Sequence, residues 1–182
     1  MSPVSWYAAR SAGIVAYLLL SGSVVVGVSM SSKRKLAWPR FAVEEVHRFL
    51  SMLTGVFIVI HGGSLLLDQV VPISLTQEVV PFTSSYSPLT VGLGVAATDL
   101  LAAIALTNAL RKRLPHAFWR RVHYATLGVW VGSTVHAFFS GTDRHDLWFL
   151  ALMGSAASAV LVAFGVRISR RNVVRTPVRV AA

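Results

Sequence analysis

Four of the six histidines sit inside long apolar stretches: His47 and His61 in EVHRFLSMLTGVFIVIHGG, His123 and His136 in RVHYATLGVWVGSTVHAFF. An imidazole offers a neutral nitrogen lone pair to a metal, and leaving one unpartnered in an apolar slab is costly. The chain has no cysteine, which excludes disulfides, thiolate ligands, iron–sulfur clusters and covalent haem attachment. Histidine, methionine and carboxylate are the metal ligands that remain. Within each stretch the two histidines are 14 and 13 residues apart, or about 21 and 20 Å along a helix. Two ligands so far apart cannot serve one metal, so each needs a partner from another segment.

The elements that must position them are membrane helices. Hydrophobic residues make up 54% of the 182, charged residues only 13%, and the mean hydropathy is +0.64, far from an ordinary globular domain. A bilayer core needs about 20 apolar residues per crossing. Five runs qualify: Trp6 to Met30, Phe41 to Leu67, Leu89 to Leu110, Phe118 to Phe139 and Leu147 to Ile168. The first is too long for a signal-peptide core, and its basic cluster follows it instead of preceding it, so it reads as a retained helix. The expected fold is an all-α membrane bundle of five helices over residues 1–168, with a short basic cytoplasmic tail over 169–182 and no fused soluble module.

The net charge of +10 is a topology signal. Fifteen of the 17 Lys and Arg fall in three clusters, Lys33 to Arg48, Arg111 to Arg121 and Arg167 to Arg179, which five crossings put on one side. The positive-inside rule makes that side the cytoplasm and leaves the N-terminus outside. Four of the seven acids, Asp68, Glu78, Asp143 and Asp146, lie in the opposite loops. A basic face of this kind serves anionic lipid headgroups or an acidic docking partner, and nucleic acid is not expected. The long outer connection from Asp68 to Pro88, with Pro72, Pro81, Phe82 and Tyr86, is expected to be ordered or interfacial.

The second and fourth runs then run parallel, so similar spacings match the histidines in depth: His47 with His123 near the cytoplasm, His61 with His136 near the outside. Two neutral imidazoles from facing helices are the axial ligands of a low-spin haem b, and a bundle accommodates the flat macrocycle. Two such pairs predict two haems, one per leaflet. Fourteen steps of 100° return His61 to within about 40° of His47, whereas 13 steps leave His136 about 140° from His123. The fourth run is therefore not a plain straight helix if its ligands are to stack. A π-bulge near Gly128 or Gly132 would rewind it; otherwise the haems approach from different sides.

Other polar residues fit the same scheme. Asp99 lies near the middle of the third run, where it either accepts a hydrogen bond from a ligand imidazole or serves helix packing. Arg10 at the outer end, and Arg48, Arg120 and Arg121 at the inner ends, are candidate partners of haem propionates or of lipid headgroups. Phe57 and Trp130 fall between the two histidine levels, either between macrocycles or as simple packing. Gly13, Ser21, Gly22, Gly27, Gly92, Gly94, Gly128 and Gly132 allow close approach of helices or porphyrin. His116 reads as interfacial and His145 as a solvated loop residue. Glu44 and Glu45 suit the dipole at the start of the second run.

The paired histidines, with WRRVHY opening the second pair, resemble the ferric reductase-like transmembrane domain family. WYAARSAGIVAYLLLSGSVVVG, VVPFTSSYSP and VHAFFSGTD are similar to its short stand-alone actinobacterial members. The resemblance covers about residues 1–168. It implies a multi-pass protein of the bacterial cytoplasmic membrane. Its inner haem b would lie on His47 and His123, its outer haem b on His61 and His136, with electrons passing outward. Larger members carry a sixth helix and a flavin and nicotinamide domain. This chain has no G-x-G-x-x-G fingerprint in a βαβ setting, so it cannot collect a hydride by itself. It reads as the membrane subunit of an oxidoreductase whose donor is a separate protein or a quinol. Ferric iron, oxygen, a flavoprotein partner or a sulfoxide reductase would be its acceptor. Two alternatives stay open: a single-haem subunit, and a haem-free subunit whose histidines and Asp99 relay protons or line a transport path.

Overall fold

The computed structural model describes residues 4–31, 38–68 and 73–175, with side chains to residue 169. The chain is all-α, and no strand occurs among the described residues. The helices are α1 (Val4–Met30), α2 (Arg40–Leu66), α3 (Leu75–Val79), α4 (Pro88–Ala109), α5 (His116–Tyr124), α6 (Thr126–Ser140) and α7 (Leu147–Arg175). Proline marks three of the starts, preceding α2 and α5 as Pro39 and Pro115 and opening α4 as Pro88, where its fixed φ and missing N–H cost nothing. The cluster Lys33 to Lys35 and Pro72 lie outside the described residues.

Four helices are long and apolar enough to cross a membrane: Val4–Met30, Arg40–Leu66, Pro88–Ala109 and Leu147–Ser169. The fourth apolar run is divided. α5 and α6 meet end to end at Ala125, whose N–H bonds to Val122 O at 3.0 Å in a tightened turn. There the Thr126 hydroxyl takes the His123 carbonyl. Hydroxyl back-bonding of this kind can bend helices, and the fourth run is interrupted at Ala125, between the two histidines 13 residues apart. Neither Gly128 nor Gly132 carries the interruption. Gly132 packs against Ala97 and the Leu93 carbonyl, and Gly128 against Leu100, so both serve the α4–α6 contact. α7 continues past Ile168 to Arg175, carrying the start of the basic tail as helix.

α1 is the hub, packed against α2, α6 and α7, while α4 packs against α6. Its buried face combines small or hydroxylated residues, Ala9, Ala12, Ala16, Ser21 and Ser23 among them, with Leu20, Val24 and Val28. In lipid, helices associate through close van der Waals contact and interhelical hydrogen bonds, since both states are equally apolar. Trp130 belongs to this core and donates Nε1–H to Ser21 at 3.0 Å; the Thr134 and Tyr17 hydroxyls are hydrogen-bonded at 3.2 Å. Trp130 is thus a packing residue that ties α6 to α1. Outward-facing Val59, Leu106, Leu161 and Val162 are more than 60% exposed, a surface that only an apolar solvent tolerates at this scale.

The connection between α2 and α4 is ordered where it is described. Ser74 caps α3 in a reciprocal capping box with Gln77. Phe82, at φ 66°, lays its ring and backbone nitrogen over Gly92 so closely that a Cβ there would meet the ring at 2.2 Å. This contact clamps the connection onto α4.

Candidate functional site

α2 packs closely against α1, and its two histidines meet His123 of α5 and His136 of α6. The His47 and His123 ring centroids are 6.2 Å apart, and so are those of His61 and His136; both pairs meet nearly edge to face, at 73° and 78°. Among the described residues no group of three or more His, Asp and Glu converges on a point, so the ligand sets on offer are pairs.

Three of the imidazoles are tethered in one way. Nδ1 of His61 bonds to the Ala9 carbonyl at 2.7 Å, Nδ1 of His47 to the Ser23 carbonyl at 2.9 Å, and Nδ1 of His136 to the Thr90 carbonyl at 2.9 Å. The Ser23 hydroxyl lies 3.1 Å from His47 Nδ1, and that of Ser140 3.4 Å from His136 Nδ1. A carbonyl only accepts, so Nδ1 carries the proton and Nε2 keeps its lone pair. A metal-binding imidazole is normally held this way. In each case a glycine four residues beyond the carbonyl makes room for the ring. A Cβ on Gly13 would stand 3.0 Å from His61, one on Gly27 3.2 Å from His47, and one on Gly94 2.6 Å from His136. Gly13 and Gly27 are 14 residues apart, as are His47 and His61, and this equal step puts both rings of α2 in register with α1.

His123 is different. Its Nδ1 is buried and has no hydrogen-bond partner among the described residues, while its ring stacks on Trp119 at 5.4 Å and 21°.

A cavity of about 530 Å³ opens beside His61 and His136. Its walls include Gly13, Gly94, Tyr17 and Leu20, its rim carries Arg10 and Asp143, and α3 roofs it with Gln77 and Glu78. Arg10 and Asp143 form an ion pair that ties α1 to the turn before α7. Oε1 of Glu78 is buried without a hydrogen-bond partner among the described residues, and burial pushes its carboxyl above the usual carboxylate range.

The fit of these residues to haem follows from their own geometry. A metal–imidazole bond is about 2 Å and the ring centre lies about 1 Å further on, so one iron between two rings asks for about 6 Å between centroids. Both pairs meet that spacing, with Nδ1 protonated in three of the four rings. The cavity is of cofactor size, apolar along its walls and polar at its rim.

The remaining expected site residues divide clearly. Arg10 lines the cavity. Arg48, Arg120 and Arg121 are exposed, with Arg48 against Glu45 at 3.5 Å. Asp99 is exposed on α4, and the tethers of His47, His61 and His136 go to backbone carbonyls. Phe57 is half-buried on α2; His116 and His145 are exposed. Sequence reading missed the three carbonyls, Glu78 and Trp119. The 14-residue step from Gly13 to Gly27, repeating that of the histidines, was the available signal for two of them.

A family model described as ferric reductase like transmembrane component matches residues 12–134. The match takes in His47, His61 and His123 and ends two residues before His136. No curated protein and no solved structure matches the chain.

Proposed function

This chain belongs to the ferric reductase-like transmembrane family, and on that premise we propose that it is a membrane cytochrome b carrying two bis-His haems. His47 and His123 hold the inner one, His61 and His136 the outer one. The observation that carries the reading is the pair of matched centroid distances, 6.2 Å at two levels of one bundle.

Each haem, when bound, supplies a reversible one-electron iron couple. The protein's own residues do the rest. The carbonyls of Ala9, Ser23 and Thr90 fix ring orientation and make the ligands more basic. With an imidazole from each of two helices holding it, each haem would be left to outer-sphere electron transfer. Leu20, Thr54 and Tyr17, along the wall between the two levels, keep water out of the apolar slab. Arg10, paired with Asp143 at the cavity rim, would be the guanidinium offered to a propionate. With α5 and α6 together making a fifth crossing, the basic clusters face the cytoplasm. Electrons then run from a cytoplasmic protein or a quinol to an extracytoplasmic acceptor such as ferric iron, oxygen or a redox protein.

A pyridine haemochrome assay on the purified protein tests this. A haem-to-chain ratio near two is expected. A ratio near one would replace it with the single-haem reading, and no haem at all would leave a haem-free relay.

A further inference from the structure

The three tethered rings share a cradle of fixed design: a carbonyl at one position and a glycine four residues later, as Ala9 with Gly13, Ser23 with Gly27 and Thr90 with Gly94. On α1 the cradle repeats after 14 residues. The same step along α4 leads from Thr90 to Ile104 and from Gly94 to Asn108, at the level where the fourth ring needs support. Neither position can serve as a cradle. The Ile104 carbonyl accepts the Thr107 hydroxyl at 2.9 Å, and Asn108 brings a side chain where the other three have none.

That side chain makes one interhelical bond: Trp119 donates its Nε1–H to Asn108 Oδ1 at 2.8 Å. The indole so fixed lies between His116, at 5.5 Å, and His123, at 5.4 Å and nearly parallel. The three rings follow the i, i+3, i+7 pattern of one helix face. An indole has two χ angles, and a hydrogen bond at its far end removes the freedom to rotate away.

We infer that Trp119, pinned by Asn108, is the positioning residue for His123, standing in for the carbonyl-and-glycine cradle of the other three ligands. The inference rests on the reading that His47 and His123 hold the inner haem. The carbonyl tether holds a ring through its nitrogen; the indole holds it through its face, and leaves Nδ1–H without an acceptor. The inner haem therefore has one ligand made more basic by a tether, and the outer haem two.

The test uses the full-length protein loaded with haem, in nanodiscs, with two spectroscopic readouts: the low-spin electron paramagnetic resonance signals and the carbon monoxide difference spectrum of the reduced protein. A haem with both imidazoles seated does not take carbon monoxide, and one whose imidazole swings away does. Trp119→Leu is expected to shift or broaden the inner low-spin signal and to make up to about half of the haem reactive to carbon monoxide, one site of two. The outer signal should be unchanged. Trp119→Phe keeps a stacking face and should restore most of the unreactive state, and Asn108→Ala should give an intermediate fraction. Asn108→Ala removes only a surface amide, so it decides the matter if Trp119→Leu does not fold. An unaltered inner signal with no carbon monoxide reactivity in Asn108→Ala, or in a folded Trp119→Leu, overturns the inference while leaving two haems in place. A wild-type protein with fewer than two haems would instead overturn the reading beneath it.

Discussion

The two histidine levels have the same ring spacing and different supports. At the outer level both rings rest on a backbone carbonyl and a glycine, one on α1 and one on α4, and α3 closes the space above them. At the inner level His47 has this support and His123 does not. The cradle needs two continuous helices close enough for a ring to lie in the groove left by a missing side chain. Around His136 both α4 and α6 are continuous. Around His123, α5 stops at Tyr124 and α4 at Ala109, so backbone that could receive the ring is spent on helix termini. An aromatic stack, which needs only one helix face, takes its place. Equal ligand geometry can therefore be reached by a rigid backbone device or by a softer side-chain one.

The largest expected effect on this comparison comes from removing ligands. His47→Ala and His123→Ala should each abolish the same haem, and His61→Ala and His136→Ala the other, lowering pyridine haemochrome content by about half in every case. If His47→Ala and His61→Ala delete the same spectral component, the pairing is wrong. Filling the cradles comes next. Gly94→Ala forces a Cβ to within 2.6 Å of the His136 ring and should cost most of the outer haem; Gly13→Ala, at 3.0 Å, should cost less, and Gly27→Ala, at 3.2 Å, least. Absorption spectra at matched protein concentration would give the order, and equal losses would show that the glycines do not set it.

Heating should then separate the levels without any substitution. With one tethered ligand against two, the inner haem should leave first in a thermal titration followed by its low-spin signal; simultaneous loss would erase the distinction between supports. The smallest effect concerns the roof of the outer level. Burial raises the Glu78 carboxyl above the usual range, so the folded protein holds that proton to higher pH than the unfolded chain does. Stability contributed by this group is present at low pH and falls as pH rises from about 4 through the raised folded value. Glu78→Gln should flatten that portion of a plot of Tm against pH, and an unchanged slope would assign it to other groups.

Much of this was legible in the sequence because membrane insertion leaves little freedom. Apolar length fixed α1, α2 and α4 to within a few residues, and α7 at its start, although α7 runs on past Ile168 to Arg175. The difference between 14 and 13 announced an irregular helix, but periodicity cannot say where a ladder breaks. The break falls where the hydroxyl of Thr126 reaches the His123 carbonyl, a contact between side chain and backbone that leaves no trace in hydropathy. Asp99 shows the opposite limit. A carboxylate in an apolar run suits either a ligand partner or helix packing, while three of the rings bond to carbonyls on α1 and α4, which every residue possesses and no sequence pattern distinguishes.

By itself, then, the sequence determined that the chain is a helical membrane protein and that its histidines fall at two depths, because hydrophobic length and helical rise are local, additive quantities. Which carbonyl holds which ring, why three rings share one cradle, and how Trp119 comes to lie on the fourth were decided only by tertiary structure. Those contacts depend on the approach of helices far apart in the chain, and a fraction of an ångström there determines whether a ring is seated or excluded.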